Sequence, residues 1–168
     1  MIQVILGLGS NLGNRQKELC LAIQFIESIS NSPAVLSSLY GSKALGFVSE
    51  NAFLNMVVSC SFKKMDSDTL LTLIKEYEEG RGREKRLLGA FVDRKIDIDI
   101  LFFGSSIQND SRLVIPHMEI KNREFVLRPL LEIANKFHHP IYRKRLSECY
   151  NIEKEFNEVE FKGILECT

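Results

Sequence analysis

Residues 95–103 read KIDIDILFF, and the fold turns on how that run is understood. It is a strand of Ile, Leu and Phe that carries two acids, Asp97 and Asp99. Side chains alternate across a strand, so Asp97, Asp99, Leu101 and Phe103 are expected on one face and Ile96, Ile98, Ile100 and Phe102 on the other. The two carboxylates then project side by side, with Cα atoms roughly 6.5 Å apart. Burying two unpaired negative charges costs several kcal/mol, so something positive must lie against them. The flanks are too apolar for a solvated edge. Carboxylate oxygens are the ligands Mg²⁺ prefers, through one or two acids plus substrate phosphates, and a pair can hold two ions for phosphoryl transfer.

The other elements fall around this strand. A first strand is expected at 2–9 (IQVILGLG), followed by a helix from about Asn14 with Leu19, Ala22, Ile23 and Ile26 at helical spacing. A second strand is expected at 34–40 and a third at 53–62. The third puts Leu54, Met56, Val58, Cys60 and Phe62 on one face, while Phe53 and Asn55 open the other. A second helix should start near Asp66 or Ser67, carry Leu70, Leu73, Ile74 and Tyr77 inward, and stop at Gly80. The order β-α-β-β-α-β is that of an α+β, ferredoxin-like core, with helices on one face of a mainly antiparallel sheet. A hairpin at 107–115 and a short helix at 129–134 complete the expectation. The tail, 150–168, is compatible with a strand, a short helix or disorder.

With 168 residues and no linker or repeat, one domain spanning 1–168 is expected. The 22 basic and 22 acidic residues cancel, which argues against a nucleic-acid or anionic-membrane partner. The start, MIQVILGLGSN, has neither a basic leader region nor a cleavage site, and no apolar run reaches membrane-spanning length. Cys20, Cys60, Cys149 and Cys167 lack metal-like spacing and read as reduced thiols, so a soluble, cytoplasmic protein is expected; a monomer is expected as well, though no residue pattern argues it.

GLGSNLG at 7–13 suggests a dinucleotide fingerprint, but its spacing is one residue too long and no acid closes a second strand about 20 residues on. A tight strand-to-helix turn facing a ligand is the better reading. The connections 41–51 and 81–94 are long for a compact domain, and loops of that length are usually functional. The second contains Arg81, Arg83, Lys85, Arg86 and Arg94, runs into Lys95, and supplies guanidinium forks suited to a polyphosphate. PHMEIKNREF at 116–125 adds His117, Lys121 and Arg123. His138 and His139 read as surface loop without a role.

Together GLGSNLG, LYGSKALG, FLNMVV, GRGR, RKIDIDILFFG and RLVIPHMEIKNREFVLRPLLEIA resemble the 6-hydroxymethyl-7,8-dihydropterin pyrophosphokinase family over about residues 2–135. The resemblance implies pyrophosphate transfer from ATP to the pterin's hydroxymethyl group, with release of AMP, in folate biosynthesis. It implies two Mg²⁺ ions on Asp97 and Asp99, and ATP and the pterin as small-molecule partners. It places the pterin between Phe53 and Phe125, with Asn55 reading its edge and the stretch from Ser42 to Leu45 along it. It assigns Arg83 and Arg94 to a loop that closes on ATP, and Arg112, His117 and Arg123 to further nucleotide or phosphate contacts. The chain departs from the family where many members carry Trp-Gly-Pro-Arg and it has Phe91-Val92-Asp93-Arg94, which leaves Phe91 as the loop's aromatic. A polymerase-like two-metal transferase would lack the Phe53–Asn55 wall, and a ligand-sensing module would need neither the paired acids nor the arginines.

Overall fold

The computed structural model describes residues 1–46, 48–82, 92–151 and 159–167. Arg83, Lys85, Arg86 and Phe91 therefore lie outside the described residues. Strand β1 (Ile2–Ser10) leads to helix α1 (Arg15–Ile29), whose N-cap Asn14 accepts a hydrogen bond from the Lys17 N–H. Strands β2 (Val35–Leu36), β3 (Leu39–Ser42) and β4 (Phe53–Phe62) follow. Helix α2 (Ser67–Gly80) is capped by Asp66, which accepts from Thr69 N–H, and β5 (Asp97–Phe103) completes the core. A small hairpin of β6 (Gln108–Asn109) and β7 (Val114–Ile115) comes next. Helices α3 (Glu124–Ala134) and α4 (Leu146–Cys149) and strand β8 (Val159–Gly163) end the chain.

The main sheet runs β5-β1-β4-β3-β8, every pairing antiparallel, with β2 also on β4. This is the ferredoxin-like order. The expected second strand is two pieces, because Ser37 leaves the regular ladder: its Oγ accepts the Val57 N–H at 2.9 Å, and Ser38 turns its N–H and hydroxyl to Glu132. Part of the tail is a strand, since β8 extends the sheet beyond β3.

Both faces of the sheet are covered, which corrects the one-sided expectation. Val4, Leu6, Leu8, Leu54, Met56, Val58 and Phe62 pack with Leu19, Ile23 and Ile26 of α1 and Leu70, Leu71 and Ile74 of α2. Leu71 rather than Leu73 joins the buried stripe of α2. On the opposite face Ile5, Val57, Leu101 and Phe102 meet Leu127, Leu130 and Ala134 of α3 and Leu146 of α4. The sequence reading begins that third helix at Pro129. It starts a turn earlier, at Glu124, and accommodates Pro129 inside because its apolar stripe is held on the sheet.

Strict alternation along β5 also fails. Ile5 lies opposite Phe102 but Leu6 lies opposite Ile100, so Leu101 is an extra residue in a β-bulge. Leu101 and Phe102 consequently share the α3 face, and Phe103 crosses to the Ile98 and Ile100 side. The aspartates precede the bulge and keep their expected face.

Three side chains differ from their sequence reading because of packing that the local pattern does not show. Cys20 in α1 and Cys167 form a disulfide, while Cys60 and Cys149 are free thiols. The bond holds the last residues against the first helix, so not all four cysteines are reduced. His139 is 3% exposed, not a surface residue. Its ring stacks on Tyr142, Nδ1 accepts the N–H groups of Ile141 and Tyr142, and Nε2–H is left to donate to the Tyr150 hydroxyl at 3.0 Å. His138 is exposed, as expected.

Burial holds the pKa of His139 below its ordinary value, and burial with the nearby Arg123 does the same for His117. Both groups bind fewer protons folded than unfolded, so their contribution is complete above about pH 6.5 and is lost as pH falls through that value. The urea midpoint should therefore be lower at about pH 5.5 than at about pH 7.5, and the gap should narrow in His139→Asn. An unchanged gap in that variant would remove His139 from the account. Among the described residues no helix is long and apolar enough to cross a membrane.

Candidate active site

The strand register builds the site. Gly9 of β1 is opposite Asp97 on one side and Asn55 on the other, and Gly7 is opposite Asp99 and Val57. Across the sheet the row therefore reads Asp97, Gly9, Asn55, Tyr40. Two strand spacings place the Asp97 and Asn55 Cα atoms about 9.5 Å apart, with a glycine floor between them. The glycines of GLGSNLG divide the work: Gly7 and Gly9 belong to β1, as the strand expected at 2–9 has it, and Gly13, at φ +69°, serves the turn. A Cβ on Gly9 would come within 3.2 Å of Asn55 Oδ1 and 3.6 Å of the Phe53 ring. The small floor is needed for those two side chains to sit where they do.

One cleft lies over this floor. Its walls are Phe53 and Asn55 from β4, Ser42 and Leu45 after β3, Asp97 and Asp99, and Arg94, Arg123 and Phe125. Asn55 Nδ2 donates to the Tyr40 carbonyl at 3.2 Å and to Ser42 Oγ at 3.0 Å. A carbonyl can only accept, so the amide orientation is fixed and Oδ1 turns toward Gly9 and the cleft. The site therefore offers an acceptor on a buried amide to a flat ligand carrying N–H donors.

Among the described residues, a positive partner of the kind the acid pair demands is Arg94, which meets Asp97. Its Nη1 is 3.2 Å from Asp97 Oδ2, and its guanidinium carbon lies 5.7 Å from the Phe53 ring centroid. Arg94 is anchored through its backbone: its N–H donates to Asn11 Oδ1 at 2.8 Å and its carbonyl accepts the Asn11 N–H at 3.1 Å. The Asp93 carboxylate accepts from Ser49, Asn51 and Asn11, and these hydrogen bonds, Ser49 and Asn51 foremost, hold it below the usual carboxylate range. Arg81 does not join the site. It forms a close, forked pair with the buried Glu18 and ties α2 to α1.

A second cleft opens at the free edge of β5. Leu71 and Ile74 of α2 face Ile98, Ile100, Leu113 and Val114, with Arg112 and His117 at its rim. Asp99 lines both clefts. The edge itself is secured by the buried Glu78, whose Oε1 accepts the Ile98 N–H at 2.8 Å. His117 Nδ1 accepts the Glu119 N–H at 3.3 Å, so its neutral ring carries the proton on Nε2 and can donate to a phosphate oxygen. Arg112 is mostly exposed, 3.9 Å from Asp68, and Arg123 pairs with Glu119.

Of the residues proposed from sequence, Ser42, Leu45, Phe53, Asn55, Arg94, Asp97, Asp99, Arg123 and Phe125 meet in the first cleft, and Arg112 and His117 in the second. Arg83 lies outside the described residues. The sequence reading gave no role to Asn11 or to Asp93. The Ser10-Asn11 pair within GLGSNLG was the available signal for the first.

No cluster of three or more metal-ligating His, Cys, Asp or Glu side chains occurs among the described residues. A metal would instead rest on Asp97 and Asp99, partly exposed on one face over a glycine floor, completed by substrate oxygens. That donor set fits Mg²⁺.

Comparison with known proteins bears on the family of the chain. Residues 5–135 match the model of the 7,8-dihydro-6-hydroxymethylpterin-pyrophosphokinase family. The chain is 38% identical over 148 residues to the 2-amino-4-hydroxy-6-hydroxymethyldihydropteridine pyrophosphokinase of Aquifex aeolicus, covering 88% of this chain and 90% of that one. It is also 38% identical over 137 residues to the enzyme of the same name from Haemophilus influenzae, covering 80% and 83%. Among solved structures it resembles the wild-type HPPK-DHPS of Plasmodium falciparum with pteroate, at a TM-score of 0.65 and 17% identity. That match covers 89% of this chain but only 44% of the solved one, and it speaks for the fold alone. Sequence, fold and cleft agree: the chain belongs to the 7,8-dihydro-6-hydroxymethylpterin-pyrophosphokinase family.

Proposed function

We propose that this chain carries out the family's pyrophosphate transfer at the junction of the two clefts, with Asp97 and Asp99 holding two Mg²⁺ ions there. The observation that carries this reading is that Asp99 lines both clefts. A flat pterin in the first and ATP in the second would then bring their reacting ends to the same acid pair. The hydroxymethyl oxygen attacks the β-phosphorus of ATP and AMP departs. Magnesium held by Asp97 and Asp99 would supply neutralisation of phosphate charge and a lower pKa for the attacking hydroxyl.

The chain's own residues position and polarise. Phe53 and Phe125 hold the pterin ring, and Asn55 Oδ1 accepts from its N–H edge, with Ser42 fixing that amide. Leu71, Ile74, Ile98 and Leu113 give the adenine an apolar bed, while Arg112 and His117 donate to the phosphates. Arg94 and Arg123 face the transferring group, with Arg83 assigned to the same task. There is little covalent chemistry for a side chain to perform, so orientation and charge stabilisation dominate. The protein acts as a single-domain monomer in the cytoplasm on two small molecules.

The decisive experiment is AMP release from ATP and Mg²⁺ on adding the pterin alcohol; no pterin-dependent AMP would refute the proposal. The stack has its own test. Phe125→Ala should weaken pterin binding about five- to tenfold, the scale of one aromatic stack, and leave an ATP analogue nearly unaffected. Equilibrium titration showing the nucleotide weakened and the pterin unchanged would mean that the two clefts had been exchanged.

A further inference from the structure

We infer that Asp93 is a positioning residue, whose carboxylate locks the pterin-side loop to the foot of Arg94 and so sets the phosphate-side cation against the pterin wall. This rests on the role proposed for Arg94.

The geometry is specific. Asp93 Oδ1 accepts from Asn11 Nδ2 and from Ser49 Oγ, each at 2.6 Å, and Oδ2 accepts from Asn51 Nδ2 at 2.5 Å. Three donors from two separate segments converge on one ionised group, where charge-assisted hydrogen bonds are at their strongest. Asn11 is the fixed post. It is 2% exposed at the end of β1, and besides Asp93 it engages the N–H and carbonyl of Arg94 and, more weakly, the Asn51 carbonyl at 3.4 Å. Ser49 also accepts the Asn51 N–H, which shapes the loop tip around the carboxylate. That loop continues directly into Phe53, the ring over which the Arg94 guanidinium lies. One carboxylate therefore joins three pieces: the end of β1, the loop that follows the Ser42–Leu45 wall, and the backbone that aims Arg94 at Asp97.

A purely structural brace and a positioning residue give different kinetics. If Asp93 acts through Arg94, its loss matters only while the Arg94 side chain is present. Asp93→Ala should lower kcat by about tenfold while changing the affinity for an ATP analogue less than about threefold, because the nucleotide cleft lies elsewhere. Asp93→Asn keeps one acceptor oxygen but turns an amide N–H₂ toward a donor, so it should fall between wild type and Asp93→Ala. On an Arg94→Ala background the further loss should vanish, since residues acting as one unit are not additive.

The experiment measures kcat and KM by AMP release for wild type, Asp93→Asn, Asp93→Ala, Arg94→Ala and the Asp93/Arg94 double variants, each with its melting curve. Graded losses that disappear without the Arg94 side chain support the inference. Activity of both Asp93 variants within about twofold of wild type, or an undiminished loss on the Arg94→Ala background, overturns it. Should Asp93→Ala fail to fold, Asp93→Asn carries the same two comparisons. Pterin-dependent AMP release absent from the wild type would instead count against the proposed function, so the two failures are told apart.

Discussion

Asp97→Ala and Asp99→Ala are each expected to lower turnover by at least about a hundredfold, the scale on which loss of transition-state charge stabilisation is felt. The acids stand at the start of β5, opposite Gly9 and Gly7, and line the cleft in which the two substrates would meet. With three metal-ligating side chains nowhere clustered among the described residues, Mg²⁺ would depend on these two for its protein ligands. The fold should tolerate either change. Neither side chain belongs to a hydrophobic cluster, and Ile96, Ile98 and Ile100 keep the strand seated on the other face. Asp97→Ala has one extra effect, since it removes the carboxylate paired with Arg94. Asp97→Asn and Asp99→Asn keep the shape while losing the charge, and should be as inactive as the alanine variants. Calorimetry offers a readout independent of turnover: binding of a non-hydrolysable ATP analogue should depend on Mg²⁺ in the wild type and much less in either variant. Turnover within a few-fold of wild type in either alanine variant would end the two-metal assignment.

The parts of this fold that could be read from sequence are those fixed by local chemistry. The helices start where they were expected to, at Asn14 and at Asp66 of the two residues considered, because a short polar side chain satisfying free N–H groups needs no distant partner. β4 keeps its alternation over its whole length because one face meets α1 and α2 and the other meets α3 and the cleft. What could not be read depends on residues far apart in the chain. The bulge at Leu101 is a matter of register against β1, and it reverses the faces of Phe102 and Phe103 without leaving a mark on the local pattern. His139 is drawn inward by Phe102, Tyr142 and Tyr150, and Cys20 finds its partner 147 positions away. Arg81 looked like part of the phosphate-binding set because charge was counted along the sequence, whereas the buried Glu18 takes it in space.

That the residues lining the first cleft drew attention in the sequence has a physical reason. Two acids in an apolar strand, an aromatic beside an amide, and a basic excess in one loop are each unusual unless a ligand compensates. Asp93 escaped notice because its compensation is internal: three neutral donors stabilise it, and no anomaly of charge or burial marks it in the sequence.

Arg94→Ala is the second substitution with a large expected effect. The side chain is mostly buried, with 12% of its surface exposed, and its guanidinium lies between the Asp97 carboxylate and the Phe53 ring. Such a cation is aimed before substrate arrives, so little reorganisation is needed when negative charge moves onto the transferring phosphates. Its main contribution should come in the transition state, where that charge shifts toward the acceptor. Turnover should therefore fall by about a hundredfold, while the affinity for an ATP analogue changes by less than about fivefold. Arg94→Lys tests the geometry separately from the charge. A lysine keeps the positive charge but replaces the planar fork with a single ammonium, and should recover only part of the loss. Pre-steady-state measurement of AMP formation in a single turnover isolates the chemical step from product release. A weakening of ATP-analogue binding as large as the loss in turnover would show that Arg94 holds the ground state and the transition state equally, and would reduce it to a binding residue.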